Sequence, residues 1–421
     1  MIHLQGSVLT PPAIGMDYYE NGSVLINNSG KIEYAGPGIN DESHVVYGGK
    51  EFLITPGFID LHTHFPQFPA AGLGKGNLSE WLNELIFPLE AAVSDIDFAG
   101  KISNVFFKSL IRNGTTTAVV YGPSSIKATE AAFLEAESSG MRVFMGNSLM
   151  DTNCPAEIKN STGSSLESIQ YLAIKYHENN EGLINYIITL RYAGSCSAEL
   201  MAKASETARR EGMLLQTHLS ESKAEIEMVM KLFPEAKNYT DIYKKYGVLG
   251  ENTILAHCIH LNDEEIDRIK NNGCAIAHCP TSNRFLASGF MPALKYMDKG
   301  LMIGLGTDIA AGYNESVPRE AAEAIETSKA LNIKDEIYSA NVLSAEDAFR
   351  MATINSAEIL GIAGITGSIE NGKDADLVLH KLNNPLPFDL FAGKETALRH
   401  FMYRRDDYSV DKVFVRGKDI L

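Results

Sequence analysis

Asp60-Leu61-His62-Thr63-His64 sets two histidines two residues apart. They end an apolar run (Phe52, Leu53, Ile54, Phe58, Ile59) broken only by Thr55-Pro56-Gly57. Residues two apart on a strand share a face, so both imidazoles face the same way at the end of a buried strand. That is half of a metal site; for the pair alone, two unrelated surface histidines is the competing reading. Three later apolar runs end in matching polar groups: Met213 to His218, Thr253 to His257, and Leu301 to Asp308. His62, His64, His218 and Asp308 together make a three-histidine, one-carboxylate donor set for one divalent cation. Zn²⁺ suits this set most simply, and Fe²⁺ or manganese also fits it.

Such distant residues meet only if the fold brings strand ends together. Short apolar runs with functional tips read as parallel barrel strands, whose C-terminal ends carry catalytic groups. Candidate strands start near Gly57, Thr115, Met141, Asn185, Met213, Thr253, Cys274 and Leu301, with helical stretches between them such as Ser197–Glu211 and Asn262–Asn272. Asn262 is placed to cap the second of these, with acids in its first turn and Gly273 past its end. The alternation predicts an α/β fold, a (β/α)8 TIM-like barrel over residues 55–368. A doubly wound open sheet would instead call for a glycine-rich phosphate turn after an early strand, where this chain has His-x-His. Short strands at the two ends, among them Ser23–Ile26, Lys31–Tyr34, Ala375–Leu379 and Lys412–Gly417, predict a small β-sandwich formed jointly by residues 1–54 and 369–421.

The chain has 421 residues, 45% of them hydrophobic, which suits a large core rather than disorder. Its 37 basic and 53 acidic residues give a formal charge of −16. An acidic surface repels phosphate backbones, which argues against nucleic acid and for a neutral or cationic small substrate. Five cysteines with no C-x-x-C argue for a reducing compartment. The start, Met1-Ile2-His3-Leu4-Gln5-Gly6, lacks a leader pattern and no apolar stretch is long enough to cross a bilayer, so the expectation is a cytoplasmic protein. Histidines outside the strand ends read as surface residues.

Pro56 to His64 resembles the first-strand motif of the amidohydrolase superfamily, and is more similar still to its guanine deaminase branch. The likeness continues in His64-Phe65-Pro66-Gln67-Phe68, in Trp81-Leu82-Asn83 with Phe87-Pro88-Leu89-Glu90, and in Arg191-Tyr192 with Ser195-Cys196-Ser197. It extends to Gln216 to Glu221, His278-Cys279-Pro280-Thr281-Ser282-Asn283, and Gly304 to Asp308. Leu190 and Tyr192 depart from the proline and phenylalanine that usually flank that arginine in the branch. The resemblance implies hydrolytic deamination of guanine to xanthine and ammonia by a homodimer with one metal per chain. The fourth strand, Asn185 to Tyr192, offers no lysine to bridge a second metal.

On that reading Asp308 is a ligand that also accepts a proton from water. Glu221, three residues past His218, carries protons, and His257 hydrogen-bonds the attacking oxygen. Helix capping is the alternative for both acids, and a satisfied core histidine the alternative for His257. A guanidinium matches the adjacent O6 and N7 acceptors of guanine, which assigns substrate binding to Arg191; Gln67, Tyr192 and Trp81 complete the pocket, with Phe65 a further stacking candidate. Without substrate, Arg191 would find a carboxylate such as Glu221. Alternatives are the same chemistry on a modified purine, pterin or triazine, and hydrolysis of a cyclic amide.

Overall fold

The structure is a computed structural model that describes residues 1–39, 45–74, 77–335, 341–384 and 393–421. The chain opens with β1 (Ile2–Thr10), β2 (Asp17–Ile26), β3 (Ile32–Pro37) and β4 (Val45–Pro56). Next come β5 (Phe58–His64), β6 (Thr115–Gly122), β7 (Arg142–Leu149), β8 (Ile184–Tyr186), β9 (Ile188–Leu190), β10 (Leu215–Leu219), β11 (Thr253–His257), β12 (Ala275–His278) and β13 (Ile303–Leu305). It closes with β14 (Leu377–Leu382), β15 (Tyr408–Val415) and β16 (Lys418–Asp419).

The middle group is the expected barrel. Its strands are parallel and ordered β13-β12-β11-β10-β9-β7-β6-β5, with β8 also paired to β7, so β8 and β9 share the fourth position on either side of Ile187. The ring is completed between its first strand and the segment after its last. The Asp308 amide donates to the His62 carbonyl at 2.7 Å and the His64 amide to the Ile309 carbonyl at 2.9 Å. Every residue of β5, β6 and β7 is buried, as strands covered on both faces must be. The helices between them follow their caps. Ser197 caps Ala198–Glu211, which ends at Gly212 in the left-handed region, and Asn262 with Glu265 forms a capping box on Asp263–Asn271.

Both termini join in one seven-stranded sheet, β16-β15-β14-β4-β1-β2-β3, in which β4 and β14 pair antiparallel with Leu377 opposite Pro56. Residues along this sheet, including Leu4, Val24, Ile54, Leu377 and Phe414, close on a single core of their own. One residue, Gly57, carries the chain from β4 into β5. A Cβ there would lie 2.0 Å from the Thr116 hydroxyl oxygen, so the chain passes the second barrel strand only without a side chain. The sheet is tied to the barrel by Arg142 at the start of β7, fully buried, which donates to Asp374 Oδ2 at 3.0 Å and Asp376 Oδ2 at 3.2 Å. Helix Lys394–Tyr403, between β14 and β15 in sequence, adds Leu398, Phe401 and Met402 to the main core.

The expectation that the remaining histidines lie at the surface is corrected at two positions. His3 and His380 are fully buried in the terminal sheet, held by the hydroxyls of Ser23 (2.9 Å) and Thr55 (3.1 Å). For His380 the partner strand β4 comes from the opposite end of the chain, which a local period-two pattern does not reveal.

Candidate active site

Four strand ends meet at the mouth of the barrel. The Nε2 atoms of His62 and His64 lie 3.2 Å apart, and those of His64 and His218 3.3 Å apart. Asp308 Oδ1 is 3.2 Å from His62 Nε2 and 3.4 Å from His64 Nε2. Donors at about 2.0–2.1 Å around a tetrahedral zinc would stand roughly 3.3 Å from one another, so the spacing is that of a ligand shell. His62, His218 and His257 also present nitrogen atoms within 4.8 Å of one another, as do His62 and Asp308 with the Cys279 thiol.

Neighbours decide which atoms face the centre. His218 Nδ1 lies 2.5 Å from the Arg191 carbonyl, which only accepts, so Nδ1 carries the proton and Nε2 keeps its lone pair. His257 Nδ1 lies 2.9 Å from Asn283 Oδ1, which likewise keeps a proton on Nδ1. Burial draws His62 below the ordinary histidine range and His64 and His218 well below it, leaving neutral imidazoles. Burial would raise Asp308, but His62 and the Ser282 hydroxyl, 2.6 Å from Oδ2, hold it down at about 2. Several convergent lone pairs and one anion cannot satisfy each other; a divalent cation satisfies all of them.

The backbone is bent to this end. His257 (φ 70°) and Asp308 (φ 49°) leave their strands in the left-handed region, which costs a non-glycine residue on the order of 1–2 kcal/mol. Asp60, below the pair, accepts from the His62 amide (3.2 Å), the Thr307 amide (3.0 Å) and the Thr307 hydroxyl (2.5 Å), locking β5 to the segment that carries Asp308.

Neither acid caps a helix. Ser222 and Glu225 form the capping box of Lys223–Leu232, and Glu225 Oε2 accepts from the Glu221 amide, so the Glu221 carboxyl takes no part in the cap. The helix after Asp308 starts beyond Ser316. Glu221 Oε2 stands 3.7 Å from His257 Nε2, and its Oε1 accepts from the Ser288 hydroxyl at 3.3 Å. Burial pushes Glu221 up to about 7 against the pull of His257. Burial would lower His257, but Glu221 and Asp308 outweigh it and raise its pKa.

These groups open onto a cavity of about 360 Å³ lined by His64, Gln67, Trp81, Phe87, Arg191, Tyr192, His218, Glu221, His257 and Asp308, among others. The residues assigned roles from the sequence line this cavity, save His62, which sits behind His64 and Asp308 at 3.2 Å from each, and Phe65, which is packed in the main core. The partner expected for Arg191 is corrected: it pairs with Glu90, not Glu221, and stacks over the Phe87 ring at 5.2 Å. Sequence reasoning did not assign roles to Glu90, Ser282, Asn283 or Tyr121. The first three stand inside motif runs that carry the family resemblance. Tyr121, stacked on His64 with ring centroids 4.3 Å apart, carries no such signal.

Residues 53–420 match the amidohydrolase family. The chain is 35% identical over 418 residues to the guanine deaminase of Escherichia coli (strain K12), covering 96% of this chain and 92% of that protein. It is 34% identical over 387 residues to the guanine deaminase of Dictyostelium discoideum, covering 91% and 85%. The solved structure of guanine deaminase from C. acetobutylicum with guanine bound in the active site superposes with a TM-score of 0.92 at 32% identity, covering 100% of this chain and 99% of that one.

Proposed function

The chain belongs to the guanine deaminase branch of the amidohydrolase family, and on that premise we propose that it hydrolyses guanine to xanthine and ammonia at the mouth of its barrel. The observation that carries the reading is the meeting, at one cavity, of a cluster of donors that could hold a cation, a buried carboxyl that caps no helix, and an arginine that lines the wall. His62, His64, His218 and Asp308 would hold the ion, one zinc per chain, with Fe²⁺ the next fit to the same donors. When bound, that cation supplies a water of lowered pKa and polarises the centre under attack.

The rest falls to the side chains. Arg191 presents N–H donors to the O6/N7 edge of guanine and turns the C2 amine toward the cluster. Trp81 and Tyr192, lining the cavity, offer flat apolar faces to the ring. Glu221 takes a proton from the attacking water and delivers it to the ring nitrogen beside C2. Asp308 takes the second proton, which goes to the amine; the C2–N bond then breaks and ammonia leaves. His257, whose pKa is raised despite burial by Glu221 and Asp308, acts as the imidazolium: with Nδ1 held by Asn283 and a second proton on Nε2 facing both carboxylates, it donates to the oxygen that becomes bonded to C2. Cyclic amide hydrolysis is disfavoured, because β8 and β9 bring no lysine to bridge a second metal.

The cavity wall carries Glu221, Glu225 and Asp308, and the charge of Arg191 is already matched by Glu90. No unpaired lysine or arginine among the lining residues is left to hold a phosphate, which suits a neutral base. The cysteines are free thiols, which supports a reducing, cytoplasmic setting. No helix among the described residues is long and apolar enough to cross a membrane. The family resemblance supports a homodimer, which light scattering of the purified protein would test.

Guanine incubated with zinc-loaded protein should yield xanthine and ammonia one for one, with adenine inert. Equal ammonia release from adenine, or none from guanine, would reject the substrate.

A further inference from the structure

Glu90 is buried on the short helix Phe87–Ala92, behind the cavity-lining Gln67 and Arg191, and it divides its two oxygens between these two polar residues assigned to the substrate. Oε1 accepts from Gln67 Nε2 at 2.9 Å, and Oε2 pairs with Arg191 Nη1. Gln67 comes from the turn after β5 and Arg191 from the end of β9, so one carboxylate couples two barrel positions.

A carboxylate paired with a guanidinium has no proton to give. The amide atom facing it must therefore be the nitrogen of Gln67, as the 2.9 Å contact has it. That leaves Gln67 Oε1 as the amide atom free to meet a ligand. The same ion pair engages Nη1 of Arg191, while the Phe87 ring under the guanidinium holds its plane. The cavity then offers a fixed pattern of one acceptor from Gln67 and the remaining donors from Arg191.

We infer that Glu90 is a positioning residue that sets substrate specificity, presenting Gln67 as an acceptor and Arg191 as a donor. The pair then selects a purine with a ring N–H next to a carbonyl oxygen. This rests on the guanine reading of the site and adds the residue that imposes it. Guanine has this N1–H and O6 pattern; 2-aminopurine keeps the reactive C2 amine and lacks both.

Glu90→Gln tests the idea with little change in shape. Its new amide can accept from Arg191 only by turning its N–H₂ toward Gln67, which forces Gln67 to show nitrogen to the substrate. In the zinc-loaded enzyme, kcat/KM for guanine should fall about 10- to 100-fold, the scale of a reversed buried hydrogen bond, mostly through KM. The guanine to 2-aminopurine ratio of kcat/KM should fall at least about tenfold, with bound zinc unchanged. Parallel losses on both substrates, leaving the ratio within about twofold, would overturn the inference. A merely structural role predicts that parallel loss. Wild-type protein inactive on guanine would reject the functional reading instead, so the two failures are separable. If the variant does not fold, competitive inhibition of the wild type decides. Hypoxanthine, which has N1–H and O6, should bind at least about tenfold more tightly than unsubstituted purine, and equal binding would overturn the inference.

Discussion

At the scale of single residues, the site separates groups that hold from groups that move protons. His62 and His64 are buried and His218 half-buried, all three are drawn toward the neutral form, and His218 is aimed by the Arg191 carbonyl. Glu221 is buried but not engaged in a cap, and its pKa stands at about 7. Replacing it by glutamine keeps the size and removes the proton carrier. Glu221→Gln should retain metal and lose at least about 10³-fold in kcat, read from steady-state ammonia release beside metal analysis. The sign of the pH dependence follows from the direction of transfer. Glu221 must be ionised to take a proton, so kcat/KM should rise with pH and level off above its pKa. A nearby cation lowers that pKa, which places the midpoint at or below about 7. A profile that falls as pH rises through this range would contradict the role. Asn283 acts one step removed, by holding Nδ1 of His257. Asn283→Ala should cost about 10- to 100-fold in kcat/KM, and an unchanged value would make His257 a bystander.

At the scale of elements, the C-terminal ends of barrel strands are where the chemistry was legible. His62, His64, His218, His257 and Asp308 each close an apolar run, and a short apolar run with a polar tip has few structural uses. What escaped were contacts between elements with no shared periodicity. Glu90 lies on a short helix and meets Arg191 across 101 residues, and nothing in either local pattern encodes that distance. Ser282 and Asn283 sit on the short helix Pro280–Phe285, reading locally as a proline-led turn, yet they orient Asp308 and His257. His380 was misplaced for the same reason: its strand, from the C-terminal end, pairs with β4 from the N-terminal end.

At the scale of the molecule, the terminal sheet and the barrel share a buried ionic junction. Asp374 and Asp376 accept from Arg142, and Asp374 also accepts from Arg416 Nε at 3.1 Å and pairs with Lys31 at 2.5 Å. This junction is at the start of β7, while the chemistry is at the far ends of the strands. Arg142→Met would leave Asp374 with Lys31 and Arg416 but take from Asp376 its only cationic partner among the described residues, and should destabilise the fold by about 1–3 kcal/mol, seen in denaturant unfolding. The kcat per folded molecule should stay near the wild-type value; a large fall in kcat would mean the junction shapes the site.

On the reading proposed above, side chains from β5, β10 and the segment after β13 hold one ion that serves guanine hydrolysis. Titrating zinc into metal-free protein while following ammonia release from guanine tests it most directly. Activity should rise from near zero in a straight line and break at about one ion per chain, the number the donor set accommodates. Full activity before zinc is added, no activity after it, or a break at two ions would contradict the account.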